Sequence, residues 1–137
     1  MLKIAASFVL LVCLTSGVFS QSKNRWLNGT WEGTGYQTDN NETWTMQLTV
    51  QGNRYKIEYP SLKCGGKWIP VSIDSARARF IEKITFGLAD CVDNGNVVIE
   101  RLSKRQIAYR FSNRGTREVT ASAILNKKNS AFPNRRK

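Results

Sequence analysis

The chain of 137 residues contains no histidine. This absence excludes the Ser-His and Cys-His pairs of nucleophilic catalysis. It also removes a common metal ligand, and three cysteines are not enough to complete a metal centre by themselves. No glycine-rich phosphate loop stands ahead of a helical segment. We therefore expect a protein that is not an enzyme and that holds neither a metal nor another cofactor.

Acidic residues are also scarce, with 10 Asp and Glu against 21 Lys and Arg, which gives a net charge of +11. Much of the excess lies in residues 126–137, which carry Lys127, Lys128 and the final Arg135-Arg136-Lys137 and no acid. These residues show no apolar periodicity, so we predict a basic disordered tail. The tail either touches an anionic surface or is simply solvated, and we favour the second interpretation. We expect no specific nucleic-acid partner.

Only one long apolar run occurs, and it lies in residues 1–20. Lys3 precedes the apolar stretch Ile4–Leu14, and small or polar residues follow up to Ser20. This pattern is typical of a secretory signal peptide cut before Gln21. A membrane anchor is the alternative, but the stretch is shorter than the ~20 residues that cross a bilayer. We therefore expect a secreted or periplasmic protein that does not span the membrane, with one monomeric domain over residues 21–125.

The cysteine positions predict a single disulfide bond. Cys13 lies in the predicted signal peptide, which leaves Cys64 and Cys91 in the mature chain. An even pair in an oxidising compartment favours a disulfide over free thiols.

Short runs of β-branched and aromatic residues, separated by turn residues, predict an all-β domain. The runs are residues 31–36, 44–50, 55–59, 68–73, 77–86, 97–102, 107–111 and 119–125. Links of mostly hairpin length leave no room for crossover helices. We predict an eight-stranded antiparallel up-and-down barrel, the alternative being a two-sheet sandwich made of the same strands.

This topology places the two cysteines at the same end of the barrel. Successive connections of a meander alternate between the ends, and Cys64 and Cys91 fall in the third and fifth connections. Their Cα atoms can then approach within the roughly 7 Å that a disulfide needs. The longer loops gather at this end, so an accessible mouth is expected there.

Two resemblances support this fold. Gly29-Thr30-Trp31 at the start of the first strand resembles the Gly-x-Trp motif of the calycin superfamily, which includes lipocalins, fatty-acid-binding proteins and avidins. The resemblance implies that Trp31 packs across the closed end of the barrel beneath a basic residue, either Arg110 or Arg117.

The second resemblance is to a small extracytoplasmic bacterial domain found alone or attached to membrane-bound serine/threonine kinases. It spans residues 29–111 and rests on Tyr59-Pro60-Ser61-Leu62, Cys64-Gly65-Gly66, Trp68, Phe80, Glu82, Ile84, Gly87, Cys91-Val92-Asp93, Gly95 and Val97. It implies the barrel, the disulfide and the compartment, but no activity.

Candidate ligand-binding residues are Trp44, Tyr59, Trp68 and Glu82. Glu82 shares a strand face with Phe80 and Ile84, so it points inward if the aromatic face does. It is then either a polar anchor for a ligand or a structural carboxylate paired with Tyr or Arg. The aromatic residues, with Tyr55 and Tyr109, form either a ligand pocket or simply core.

The sequence therefore favours a non-catalytic binding module for a small hydrophobic molecule or glycan. A protein-interaction or inhibitor module, and a basic envelope protein acting through its tail, are the alternatives. Two weaker patterns remain open: Asp90, Asp93 and Asn94 as a calcium site, and glycosylation sequons at Asn28 and Asn41.

Overall fold

The computed structural model describes residues 23–130 and shows a closed barrel of antiparallel strands. The strands are β1 (Gly29–Gln37), β2 (Thr43–Gln51), β3 (Arg54–Tyr59), β4 (Cys64–Ile73), β5 (Arg77–Phe86), β6 (Asn96–Arg101), β7 (Gln106–Ser112) and β8 (Val119–Lys127). Each strand pairs with the next along the chain, and β8 pairs with β1. The prediction of an eight-stranded up-and-down barrel is confirmed. The predicted signal peptide, residues 1–20, lies outside the described residues.

The barrel interior is filled by the apolar face of each strand. In β2, buried and more exposed side chains alternate along the strand, the buried ones being Trp44, Met46, Leu48 and Val50. Because successive side chains of a strand point to opposite faces, this period of two sends one row into the core. The same alternation in β5 turns Phe80, Glu82 and Ile84 inward.

One end of the barrel is closed by the segment that precedes β1. The one-turn 3-10 helix Arg25–Leu27 places Leu27 in the core. The indole Nε1 of Trp31 donates a hydrogen bond of 2.7 Å to the carbonyl oxygen of Leu27. Trp26 fastens this segment to the β4–β5 turn through a 2.8 Å hydrogen bond to the carbonyl oxygen of Asp74.

The cation above Trp31 is Lys127, whose Nζ lies 5.1 Å from the centre of the ring. The expectation that either Arg110 or Arg117 holds this position is wrong. Arg110 is exposed on the outer face of β7 and pairs with Glu100 at 3.2 Å. Lys127 reaches Trp31 because the two residues are directly opposite in the β1–β8 pairing.

The turn between β3 and β4 is shorter than predicted. Cys64, Gly65 and Gly66 belong to β4 and not to a loop. The reversal is completed earlier, by the one-turn 3-10 helix Pro60–Leu62 and by Lys63, which adopts a left-handed conformation with φ of 54°. The pairing of β4 with β5 then shifts register between Gly65 and Gly66: Gly65 pairs with Phe86 and Gly66 with Ile84, so Thr85 of β5 is the extra, bulged residue.

The predicted disulfide is present. Cys64 and Cys91 are bonded with a Cα–Cα distance of 6.4 Å and close a loop of 27 residues. A loop of this length stabilises the fold by about 3.5 kcal/mol on the loop-entropy model. The bond joins the start of β4 to the β5–β6 connection, so it lies at the end of the barrel opposite Trp31.

At its C-terminus the domain extends slightly beyond the predicted boundary at 125. Asn126 and Lys127 belong to β8, and the backbone N–H of Lys128 donates to the carbonyl of Thr30. Residues 131–137 of the predicted tail lie outside the described residues. Within residues 23–130, no helix is long and apolar enough to cross a membrane.

Candidate functional site

A cavity of about 300 Å³ lies at the cystine-bearing end of the barrel. It is lined by residues from the four connections that meet there and from the strands beneath them: Gln37, Asp39, Trp44, Tyr59, Leu62, Glu82, Asp90, Cys91, Val92, Tyr109, Phe111, Asn113, Thr120 and Ala121. Its volume is at the lower end of the range of small-molecule sites, about 300–1,000 Å³. The expectation that an accessible mouth lies at this end is therefore confirmed.

Glu82 is the polar group at the base of this cavity. Its side chain is only 3% exposed, yet it lines the cavity. Its Oε2 accepts a hydrogen bond of 2.5 Å from the Tyr59 hydroxyl and one of 2.7 Å from the Trp68 indole Nε1. Because an indole nitrogen is only a donor, Oε2 is the unprotonated oxygen of the carboxyl group.

The strand pairing explains how Glu82 meets these two partners. Trp68 on β4 is directly opposite Glu82 on β5, so their side chains share the inner face. Tyr59, at the end of β3, precedes the turn into β4 and also points inward. Three adjacent strands therefore supply one carboxylate and its two donors.

Burial raises the pKa of Glu82 above its ordinary value, although the hydrogen bonds from Tyr59 and Trp68 act in the opposite direction. The negative charge of nearby Asp93 raises it further. Burial also raises the pKa of both Tyr59 and Tyr109 well above the usual value for tyrosine. Both phenols therefore remain protonated at neutral pH, and the hydroxyl of Tyr59 is the one that donates to Glu82.

Aromatic rings form much of the remaining cavity surface. Tyr109 stacks on Trp68, with ring centres 5.8 Å apart and planes 11° from parallel. The ring of Trp44 covers Gly35, its partner on β1, where a side chain of any size would collide with the indole. Phe111 completes this aromatic surface.

The predicted residues thus divide by position. Trp44, Tyr59 and Glu82 line the cavity, whereas Trp68 lies behind Glu82 and holds it. Tyr55 lies elsewhere in the core, against Phe80 and hydrogen-bonded to Asn24. Asn113 and Ala121 are lining residues that the sequence did not single out, because a polar turn residue and a small core residue carry no chemical signal.

The rim of the cavity carries acidic side chains. Asp39 and Asp90 line it and are exposed. The carboxylate of nearby Asp93 already has partners within the protein, since it accepts hydrogen bonds from the backbone N–H of Ile84 and from Lys83 Nζ. The described part of the chain holds no group of three or more His, Cys, Asp or Glu side chains placed to bind a metal ion.

A second depression, of about 500 Å³, lies on the outer surface of β5, β6 and β7. It is basic, since Arg77, Arg79, Arg110 and Arg117 contribute to it. Two of these, Arg77 and Arg110, are already paired with Glu100.

Comparison of the chain with protein-family models, with curated proteins and with solved structures finds no match. The functional interpretation therefore depends on the geometry of the two surfaces described above.

Proposed function

We propose that this protein is a non-catalytic extracytoplasmic binding module that takes a small molecule into the cavity at the cystine-bearing end. The observation that carries the proposal is the cavity itself, with aromatic sides and a single buried carboxylate at its base. Small-molecule sites are mostly apolar, with a few placed polar groups that fix orientation. Extracytoplasmic residence is supported by the disulfide, which persists in oxidising compartments.

A protein-interaction module is the second candidate, supported by a different observation. Phe86, Leu88 and Val92 are large apolar residues, each about half exposed, at the end of β5 and in the β5–β6 connection. Exposed apolar side chains close together are typical of protein contact sites. This candidate needs no occupied cavity, so the two are separable by experiment.

The proposal is tested by a thermal-shift screen of the disulfide-bonded protein against lipids, sugars and small hydrophobic molecules. A ligand that binds only the folded state at about 100 times its Kd adds about 2.7 kcal/mol of stability. For a domain of this size we expect a rise in Tm of about 5 °C or more. A panel in which no compound raises Tm would overturn the proposal and leave the interaction module.

Two variants locate the binding. Ala121→Phe fills the cavity from β8, and Leu62→Trp narrows its mouth from the Pro60–Leu62 turn, so each should abolish the shift. Ile124→Phe adds a ring on the outer face of the same strand and should leave the shift intact. A ligand whose shift survives both cavity variants binds elsewhere, which also contradicts the proposal.

A further inference from the structure

The charge of the cavity is opposite to that of the chain. The sequence has about twice as many basic as acidic residues, 21 against 10. Of the described residues that line the cavity, however, Asp39, Glu82 and Asp90 are acidic and none is lysine or arginine. A cleft lined by one sign of charge raises the local concentration of ligands of the opposite sign.

Glu82 also has no cationic partner among the residues that the structure describes. Between Lys23 and Ser130, no lysine or arginine forms an ion pair with it; the nearby Lys83 pairs instead with Asp93. Its two hydrogen-bond donors, Tyr59 and Trp68, are neutral. A buried carboxylate is costly when no positive charge accompanies it, and this one lines the cavity.

The surrounding rings suit a positive charge as well. Trp44, Tyr59, Tyr109 and Phe111 line the cavity that contains the carboxylate. The faces of aromatic rings attract ammonium groups, and they do so more strongly where the site is desolvated. The same faces pack against the apolar part of a ligand.

From these observations we infer that the cavity binds an organic cation, an ammonium group attached to a small apolar or aromatic body. The ammonium group lies against Glu82, and the apolar body packs among Trp44, Tyr109 and Phe111. This inference rests on the proposed function and specifies its ligand class. Asp39 and Asp90 at the rim attract the cation towards the mouth.

The inference is tested by calorimetric titration with matched pairs of amine and alcohol. The pairs are phenethylamine with 2-phenylethanol, and tryptamine with 3-(2-hydroxyethyl)indole, all at about pH 7.5. Within each pair the shape is nearly constant while the charge differs. A hydrogen bond to a charged group contributes about 1.5–3 kcal/mol, so we expect each amine to bind about ten-fold more tightly than its alcohol, or better.

Glu82→Gln keeps the shape of the side chain and removes its charge, so it should erase the preference for the amine. Glu58→Gln is the matched control, because Glu58 lies on the outer side of β3 beside Lys56, and this variant should keep the preference. The double variant Asp39→Asn with Asp90→Asn changes only exposed rim residues. It should weaken the binding of the amine and leave the binding of the alcohol unchanged.

The outcomes separate the two claims. If amine and alcohol bind equally and Ala121→Phe blocks both, the cavity is the binding site but the ligand class is wrong. If Glu82→Gln retains the amine preference, the carboxylate is not the recognition group and the inference fails. If neither these probes nor the wider panel binds, the proposed function fails with it.

Discussion

At the scale of single residues, Glu82 is a buried carboxylate that lowers the stability of the fold and lines the cavity. Its carboxylate is held by Tyr59 and Trp68, but no described basic residue neutralises it. A core of purely apolar side chains at this position would avoid the desolvation of a charge. Glu82 therefore lowers the stability of the empty barrel. A bound ligand that carries a positive charge would offset this cost.

This cost predicts a pH-dependent gain in stability for Glu82→Gln. Because burial raises the pKa of Glu82 in the folded state, the folded protein binds this proton more tightly than the unfolded chain does. The contribution of Glu82 to stability is therefore present at acid pH and is lost as the pH rises from the ordinary value of 4.5 through the raised one. The Tm of the variant minus that of the wild type should increase over this window.

The measurement is a series of thermal melts of both proteins without ligand, from about pH 4 to pH 8. The difference between them isolates Glu82 from Asp74, Asp93 and Glu100, whose lowered pKa values act with the opposite sign. The titratable groups that interact with Glu82 are Tyr59, Tyr109 and Asp93. A difference that stays flat across the range, as expected for Glu58→Gln, would contradict this description of Glu82.

The residues that sequence reasoning found are those whose position follows from strand alternation. Trp44, Tyr59 and Glu82 each fall on the inner face by the period of two, and each lines the cavity. Lys127 was missed as the partner of Trp31, because a cation that pairs across the closing strands is set by the β1–β8 register. Nothing in the local sequence of β8 specifies that register.

At the scale of elements, the register of β4 on β5 determines which residues of the site face each other. This register shifts between Gly65 and Gly66 of β4, where Thr85 of β5 is the extra residue. An ideal Cβ at Gly66 would lie 1.9 Å from the carbonyl oxygen of Lys83 on β5, so the two backbones approach too closely for any side chain. In the same register, two residues further along β4, Trp68 pairs with Glu82.

Gly66→Ala should therefore destabilise the barrel by about 3 kcal/mol, because a backbone atom has to move to admit the methyl group. Gly52→Ala is the matched control. Gly52 lies in an open turn with φ of 57°, where an added Cβ meets nothing within 4 Å, so only the backbone conformation costs energy, about 1 kcal/mol. The free energy of unfolding of both variants is measured by denaturant titration. An equal decrease in the two variants would disprove the steric role of Gly66.

The elements themselves were largely predictable, since each of the eight expected runs is a strand. The errors of the prediction lie at the ends of two strands, β4 and β8. Cys64–Gly66 resembled a loop because two successive glycines have little strand propensity, yet pairing with β3 and β5 makes these residues a strand. Asn126 and Lys127 resembled a tail because they are polar, yet they close the barrel against β1.

At the scale of the whole molecule, the two ends of the barrel have different roles. Leu27, Trp31 and Lys127 close one end. The cystine fastens the connections around the other, where the cavity lies. The strand count and the cysteine positions predicted which end would be open, because connections alternate between ends. They could not predict the cavity, whose volume depends on how the large side chains pack inside.

Amide NMR can decide whether an organic cation enters this cavity. Tryptamine is titrated into the isotope-labelled, disulfide-bonded protein while the backbone N–H signals are followed. The account predicts that the largest shifts cluster at Gln37, Tyr59, Glu82, Asn113 and Ala121, around the open end. Shifts concentrated on the outer arginine surface of Arg79 and Arg117, or no shifts at all, would contradict it.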